Sequence, residues 1–171
     1  MRLNLGCGRH VLDGWTNVDV QRSPRAARAP EILSDLRTIP LPDACAEEAM
    51  AIHVLEHFYR WDADIALVEW SRLLAPHGRL VLELPNIIKC CQNLIAGTPG
   101  KIDPDQMSYW GIYGDPRDQD PYMVHRWGWS PSALTATLKS HGFVEIQEEP
   151  TQWHSVGKLH RDMRLVAKKG G

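Results

Sequence analysis

The sequence predicts an α/β fold with a doubly wound sheet, in a single domain that spans residues 1–171. Segments typical of strands alternate with segments typical of helices, and the first strand-like segment ends in the glycine turn Gly6-Cys7-Gly8. The chain has 171 residues and 43% hydrophobic content, which suffices for one domain with a sizeable core. Ligands of such sheets bind beyond the carboxyl ends of the strands, so the glycine turn is a candidate binding site.

Four strand-like segments precede the first predicted helix. The first two are separated only by residues 9–15, which leave room for at most one helical turn. Parallel strands normally need about a dozen or more connecting residues, so this crossover is near the lower limit. The fourth segment also fits the start of a helix that continues through Leu74, but we favour a strand. The four segments are residues 2–5, 16–20, 31–34 and 47–54.

The first helix is predicted to begin at Asp62, whose side chain can cap a helix N-terminus. Apolar residues then follow at helical spacing, and a proline and a glycine end the pattern. These residues are Ile65, Val68, Leu73 and Leu74, followed by Pro76 and Gly78. Residues 79–84 read as a strand that is buried on both faces, because leucines alternate there with a further valine between them.

The C-terminal half begins with a long irregular stretch, residues 87–129, with one short helix near residues 88–96. Its many glycines and prolines predict loops, and a loop of this length in a compact domain is usually functional. Ser130 and Pro131 predict a helix start, and this helix should run to about Ser140. Residues 143–148 and 163–167 read as the last two strands.

Composition excludes several classes of protein. The formal net charge is −2 and offers no general basic field, so a nucleic-acid partner is not expected. The four cysteines form no CxxC pair and the N-terminus is polar, which favours a reducing cytoplasm. The apolar runs are strand-sized and well short of the roughly 20 residues that span a bilayer, so membrane insertion is not expected.

The glycine turn and the second strand together predict a nucleotide site. Gly6 and Gly8 lack side chains, so the backbone can approach a ligand closely and adopt positive φ. Asp19 ends the second strand, where its carboxylate can accept hydrogen bonds from both hydroxyls of a ribose. A GxG pair alone is a weak signal, and the combination with Asp19 is what favours a binding site.

Three segments carry a resemblance to a known family: Leu3-Asn4-Leu5-Gly6-Cys7-Gly8, Gly14-Trp15-Thr16-Asn17-Val18-Asp19 and Val54-Leu55-Glu56-His57. They resemble class I S-adenosylmethionine-dependent methyltransferases, and more narrowly the small bacterial type 11-like ones with a shortened first crossover. The resemblance implies an enzyme with a Rossmann-like sheet, mostly parallel with an antiparallel last strand, and without the family's N-terminal helices. A partner subunit in a homodimer could then cover the exposed side of the cofactor site.

The resemblance also implies S-adenosyl-L-methionine as the cofactor and assigns residues to it. Gly6 and Gly8 would lie under the methionine part, Asp19 would hold the ribose, and Asp35 with Leu36 would meet the adenine. The chain departs from the family pattern at Asn4, where an acidic residue is usual, and at His10, where a glycine is frequent. The full set of expected cofactor-binding residues is Asn4, Gly6, Cys7, Gly8, Asp19, Val20, Asp35, Leu36, His53, Val54 and His57.

The methyl acceptor is expected to be a small molecule that presents an oxygen or nitrogen atom, with sugars and glycolipid precursors as one class. Residues 87–129 should cover its pocket, with residues 97–129 as the roof. His57 and His125 are the candidate general bases, because an imidazole has a suitable pKa for taking a hydroxyl proton at neutral pH. The expected pocket lining is Tyr109, Trp110, Tyr113, His125 and Trp127.

Three alternatives remain open at the level of sequence. A binding module that keeps the fold without turnover fits the departures at Asn4 and His10. His53, Glu56 and His57 spell HxxEH, an inverted zinc-protease motif that needs residues 47–75 as one helix and a third ligand such as Glu69 or Glu83. Dinucleotide-dependent oxidoreduction fits poorly, because Val11 stands where GxGxxG needs glycine. We predict no metal site.

Overall fold

The structure is a computed structural model, and it describes residues 1–153 and 161–171. Seven strands of the described chain form one sheet in the order β3-β2-β1-β4-β5-β7-β6. The strands are β1 (Arg2–Leu5), β2 (Thr16–Asp19), β3 (Ile32–Leu33), β4 (Ala46–Ile52), β5 (Leu74–Pro85), β6 (Phe143–Glu149) and β7 (Asp162–Lys169). Strands β1 to β5 pair in parallel, and β7 pairs antiparallel with both β5 and β6. The predicted fold class, a mostly parallel α/β sheet with an antiparallel last strand, is confirmed.

The first crossover contains no helix, as its length predicted. Hydrogen bonds from the side chain of Asn17, which is completely buried, hold this crossover in place of a packed helix. The Asn17 Oδ1 atom accepts from the N–H of Leu12 at 2.8 Å, and Nδ2 donates to the carbonyls of Leu12 at 2.9 Å and Trp15 at 3.1 Å. One buried amide therefore holds the middle and the C-terminal end of the loop while β1 and β2 pair in register.

The first helix, α1 (Arg60–Leu73), begins earlier than predicted and buries a different face. Tyr59 occupies the N-cap position, and Asp62 lies in the first turn, where it binds the Arg37 guanidinium at 2.8 Å instead of capping the helix. Ile65 and Val68, which were expected to face the core, are 52% and 59% exposed. Small residues allow the helix to approach the sheet closely, so the buried face consists of Ala63, Ala66, Leu67, Glu69, Trp70 and Leu73.

Residues 46–52 form a strand, so the alternative of one helix over residues 47–75 is wrong. The reason is that β4 lies between β1 and β5 and pairs with both, which satisfies the backbone groups on its two edges. Strand β5 begins at Leu74, five positions before the predicted strand, because its first residues pair with Ala46 across an irregularity in the register. The predicted helix end at Pro76 and Gly78 is accordingly too late.

The long stretch after β5 is more structured than predicted. It contains α2 (Ile87–Ala96), which is the predicted short helix, and α3 (Tyr109–Tyr113). Two 3-10 helices, Pro104–Met107 and Pro121–Met123, complete it. Helix α4 (Pro131–Ser140) follows with Ser130 as its N-cap, as the sequence predicted, and leads into β6.

The hydrophobic core lies between the sheet and the helices. Trp70 and Trp129 are its largest fully buried side chains, together with Phe143 of β6. Within the described residues, no helix is both long enough and apolar enough to cross a membrane. The carboxyl ends of β1, β2 and β4 meet at one edge of the sheet, where the predicted site residues lie.

Candidate functional site

The turn after β1 has the backbone conformation that the glycine pair predicted. Gly6 and Gly8 adopt φ values of +65° and +52°, a left-handed conformation that strains other residues. The N–H groups of Gly6 and Cys7 both donate to the carbonyl of Val18 in β2, at 2.8 and 3.2 Å. The turn is therefore anchored to the neighbouring strand by its backbone.

The two glycines differ in what surrounds them. A Cβ atom at Gly6 would lie 2.5 Å from a methyl group of Val54, so this glycine permits close packing against the end of β4. A Cβ atom at Gly8 would meet nothing within 4 Å. Gly6 thus serves the fold, whereas Gly8 borders open space that a ligand can enter.

Asp19 lies beside this open space at the end of β2. Its Oδ2 atom accepts a hydrogen bond from the N–H of Gly8 at 2.7 Å, and its Oδ1 atom accepts one from the N–H of Gln21 at 3.2 Å. A carboxylate oxygen has two lone pairs, so both oxygens can still accept a hydrogen bond from a ligand. The structure brings Asp19 and the glycine turn together as predicted, with Val20 next in the chain and 40% exposed.

The side chains of Asn4, before the turn, and Cys7, within it, are both buried. The Asn4 amide is buried and donates to the carbonyl of His10 at 2.9 Å and to Asn17 at 2.8 Å. Burial raises the pKa of the Cys7 thiol to about 12, and the charge of Asp19 adds to the effect, so this thiol is protonated at neutral pH. The ring of His10 contacts Trp153 edge-on, with 4.9 Å between ring centroids.

Glu31 and Asn17 support the site, and the motifs of the sequence did not reveal either of them. The Oε2 atom of Glu31 accepts from both the backbone N–H and the side-chain amide of Asn17, at 2.8 and 2.7 Å. Desolvation alone would raise the pKa of Glu31, but the bonds from Asn17 and Arg28 outweigh it and lower the pKa to about 2. The only hint in the sequence is a polar residue at a buried strand position, where Asn17 stands next to Val18.

Asp35 and Leu36, the predicted adenine contacts, lie after β3. Leu36 is buried and packs below Gly6, and its carbonyl accepts from the indole N–H of Trp70 at 2.9 Å. Asp35 is half-exposed and forms a close ion pair with Arg37, with 2.6 Å between the charged atoms. The side-chain bond from Arg37 holds the pKa of Asp35 below its usual value, in spite of partial burial.

The end of β4 carries the second half of the site. His53 has φ of +53°, an uncommon conformation outside glycine, and its N–H donates to the carbonyl of Glu83 at 2.7 Å. This sharp bend turns the chain so that Val54 packs against Gly6. The Nδ1 atom of His53 lies 3.1 Å from Glu56, and Nε2 lies 3.6 Å from Asp162.

Glu56 is the buried centre of a histidine cluster, although the expected cofactor-binding set included only its neighbours. The side chain is 2% exposed and lies in the 3-10 helix Leu55–His57. Burial opposes ionisation, but the bond from His53 and the charges of His57 and His125 keep the pKa of Glu56 well below its usual value. His125 is itself 4.0 Å from Glu56, and burial lowers its pKa.

His57 and His125, the two predicted bases, are brought together across 68 positions of sequence. Their rings meet edge-on with 4.8 Å between centroids. The stretch that carries His125 is held in place by Arg126 and Trp127, whose N–H groups donate to the carbonyl of Glu56 at 2.8 and 3.2 Å. The guanidinium of Arg126 also binds the carbonyl of His57 at 2.6 Å.

The aromatic residues predicted to line the acceptor pocket differ in exposure: one is buried and three are exposed. Trp110 is buried, and Arg117 lies over its ring at 4.5 Å. Tyr109 and Tyr113 are 43% and 65% exposed and stack on each other, with 6.3 Å between centroids. Trp127 is 44% exposed, next to the backbone segment that binds Glu56.

The structure contradicts the hypothesis of an HxxEH metallohydrolase site. Its three residues span the end of a strand and a single 3-10 turn, so His53 and His57 do not share a helical face. The suggested third ligands are engaged elsewhere: Glu69 binds Arg72 at 2.7 Å, and Glu83 binds Arg164 at 2.9 Å. His53 supports Glu56 instead of lying beside His57 as a second ligand.

Comparison with known proteins points to one family. Residues 3–82 match the methyltransferase domain family, and no curated protein matches the chain. A S-adenosylmethionine-dependent methyltransferase from Archaeoglobus fulgidus has 18% identity and a TM-score of 0.64, over 98% of this chain and 85% of that one. A second one, from Methanosarcina mazei, has 12% identity and a TM-score of 0.64, over 99% and 92% of the two chains.

A third similar structure is the 1,6-didemethyltoxoflavin-N1-methyltransferase of Burkholderia thailandensis, which contains 1,6-didemethyltoxoflavin and S-adenosylhomocysteine. It has 17% identity and a TM-score of 0.59, over 99% of this chain and 71% of that one. At these levels of identity, the solved structures demonstrate a shared fold, and residues 3–82 are similar to the methyltransferase domain family.

Proposed function

We propose that this chain is a class I S-adenosylmethionine-dependent methyltransferase and transfers the methyl group of its cofactor to an oxygen or nitrogen atom of a small molecule. One observation carries the proposal. Gly8 borders open space at the end of β1, and the carboxylate of Asp19 borders the same space from β2. A bare backbone beside a strand-end carboxylate is the arrangement that binds the ribose and the adjoining part of an adenosyl ligand.

The residues around this turn fit the cofactor S-adenosylmethionine. Gly6 and Gly8 would lie under the methionine part, and Asp19 would accept hydrogen bonds from the ribose hydroxyls with its free lone pairs. Asp35 and Leu36 would border the adenine. The buried side chains of Asn4 and Cys7 would support the turn from within the fold. Val20 and His53 would border the cofactor at the sides of the turn. Val54 would hold Gly6 in place by packing against it.

The bound cofactor supplies a methyl group that its sulfonium already activates. The protein must therefore place the acceptor in line with the sulfur–methyl bond and exclude water, and positioning of this kind can supply much of the rate. When the acceptor is a hydroxyl, a base must take its proton. His57 and His125 would do so, since both lie past the end of β4 and their rings are in contact.

The acceptor pocket would lie under residues 97–129, with Tyr109, Trp110, Tyr113, His125 and Trp127 around it. The docking of Arg126 and Trp127 on Glu56 supports this, because it brings the roof to the end of β4. The similar structure from Burkholderia thailandensis is of a 1,6-didemethyltoxoflavin-N1-methyltransferase with 1,6-didemethyltoxoflavin bound, which supports a small acceptor. Sugars and glycolipid precursors are the acceptor class that we expect here.

Calorimetric titration with S-adenosylmethionine, followed by a labelled-methyl assay against pooled metabolites, tests the proposal. Saturable binding of one cofactor per chain, together with label in a small-molecule fraction, is the expected result. Binding without transfer to any pool would instead favour the alternative of a non-catalytic cofactor-binding module. The absence of binding would overturn both.

A homodimer and a cytoplasmic location stay predictions from the sequence. Sedimentation equilibrium of the full chain with and without cofactor would measure the oligomeric state. A single species with the mass of one chain under both conditions would contradict the dimer.

A further inference from the structure

Glu56, His57 and His125 form a cluster of ligand atoms that the predicted role of a base does not explain. One nitrogen of each histidine and one carboxylate oxygen of Glu56 lie within 4.8 Å of one another. Glu56 and His57 are consecutive in one 3-10 helix, whereas His125 arrives from the stretch after α3. The fold therefore assembles this cluster from two separate parts of the chain.

Both imidazoles are oriented as metal ligands usually are. The Nδ1 atom of His57 lies 3.2 Å from the carbonyl oxygen of Val124, and that of His125 lies 3.0 Å from the carbonyl oxygen of Gly111. A carbonyl only accepts, so the proton of each neutral ring resides on Nδ1 and leaves a lone pair on Nε2. Metal-binding histidines in proteins almost always have their second nitrogen held in this way.

The carboxylate of Glu56 has one oxygen without a partner. Its Oε1 atom lies 3.1 Å from Nδ1 of His53, but Oε2 is buried and has no hydrogen-bond partner within residues 1–153 and 161–171. A buried polar atom left without a partner costs about 1–3 kcal/mol, and more when the group is charged. A cation bound by this carboxylate would offset this cost, whereas an imidazole lone pair cannot donate a hydrogen bond to it.

We propose that Glu56, His57 and His125 bind a divalent transition-metal ion, with Zn²⁺ as the ion that suits the donor set best. Two imidazole nitrogens and one carboxylate oxygen are ligands that Zn²⁺ and Fe²⁺ accept, whereas Mg²⁺ and Ca²⁺ prefer oxygen ligands throughout. With metal bonds of about 2.0–2.1 Å, tetrahedral ligands lie roughly 3.4 Å apart. The ligand atoms, which lie within 4.8 Å of one another, need to approach by up to about 1.4 Å, which side-chain rotation can supply.

His53 belongs to the support of this site. Its ring lies between Glu56 and Asp162, so it orients the Glu56 carboxylate. The proposed ligand set therefore differs from the HxxEH motif, since one histidine of the motif is replaced by His125.

Three protein ligands leave a fourth position open on a tetrahedral metal. If the acceptor lies where we propose, its hydroxyl oxygen could occupy that position, and the metal would lower the pKa of this hydroxyl. His57 and His125 would then act as ligands and not as free bases. This last step rests on the proposed function, whereas metal binding itself does not.

Titration of the metal-stripped full-length protein with Zn²⁺, and separately with Co²⁺, tests the site. We expect one ion per chain, visible Co²⁺ absorption typical of tetrahedral nitrogen and oxygen ligation, and a higher melting temperature with Zn²⁺. Glu56→Gln and His125→Ala should each weaken Zn²⁺ binding at least about 100-fold, since loss of even an outer partner of a metal ligand costs roughly 10- to 100-fold. His77→Asn is the matched control, because His77 is exposed and distant in the fold, and asparagine tolerates its φ of +63°.

Circular dichroism of the metal-free variants establishes whether they fold. If His125→Ala does not fold, Glu56→Gln still tests the site, because glutamine has nearly the same shape as glutamate. No stoichiometric binding by the wild type, or equal affinity in Glu56→Gln and wild type, would overturn the metal site. Titration with S-adenosylmethionine under metal-free conditions separates the two proposals. Cofactor binding without metal binding would overturn only the proposed metal site. Metal binding without cofactor binding would overturn only the proposed function.

Discussion

The carboxylate of Asp19 accepts a hydrogen bond from the backbone N–H of Gly8, with 2.7 Å between Oδ2 and N, across 11 positions of sequence. This bond joins the glycine turn to the second strand and orients the carboxylate toward the space beside Gly8. The same carboxylate is thus both the cap of the turn and the proposed contact to the ribose.

Replacing Asp19 by alanine should weaken the binding of S-adenosylmethionine by roughly 10- to 100-fold, since a hydrogen bond to a charged group contributes about 1.5–3 kcal/mol. Asp13→Ala is the matched control, because the Asp13 side chain is fully exposed and forms an ion pair with Arg28 at 3.3 Å. Calorimetric titration of both variants and the wild type measures the effect. Equal affinities for Asp19→Ala and wild type would defeat the ribose assignment.

Alanine at the two glycines of the turn should have separable effects. Gly8→Ala introduces strain at φ of +52° but meets no atom within 4 Å, so the fold should lose about 1–2 kcal/mol while cofactor affinity falls strongly. Gly6→Ala adds a contact at 2.5 Å with Val54, which should bring the loss of stability to about 2–5 kcal/mol. Thermal denaturation and calorimetry distinguish the two, and normal cofactor binding by Gly8→Ala would contradict the proposed placement.

Asn17→Ala should destabilise the protein by about 2–4 kcal/mol, because it leaves one buried and several partly buried hydrogen bonds unmade. The affected groups are the side chains of Asn4 and Glu31 and the backbone of Leu12 and Trp15. Asn93→Ala serves as the control, since its amide donates to one carbonyl, that of Met107 at 3.0 Å, and should cost about 1 kcal/mol. Urea denaturation measures both losses, and similar losses for the two variants would contradict the role of Asn17.

Lowering the pH should reduce the free energy of unfolding, partly through protonation of Glu31. Its folded pKa of about 2 lies below the ordinary value of 4.5, so the folded state favours the ionised form. The resulting stabilisation is complete above about pH 4.5 and is lost as the pH falls toward 2. Glu31→Gln removes this contribution, so its urea midpoint should approach that of the wild type as the pH is lowered from 6 to about 3. A constant difference between the two midpoints over that range would show that Glu31 does not contribute in this way.

The sequence predicted most elements because their signals are local. The glycine turn, the N-cap at Ser130 and the leucine-rich strand β5 depend on residues that are neighbours in the chain. Helix α1 was misplaced for the converse reason. Which face of the helix is buried depends on how closely the helix packs on the sheet. The small residues Ala63 and Ala66 face the sheet, and Ile65 and Val68 are exposed.

By itself, the sequence determined the α/β class, the parallel order around the glycine turn and the pairing of that turn with Asp19, since backbone preferences and burial patterns are written in short segments. Tertiary structure alone decided that Asn17 would stand in for a crossover helix and that His125 would meet Glu56 and His57. Such contacts join residues far apart in the chain, and they depend on packing distances of a few ångströms that no local pattern encodes.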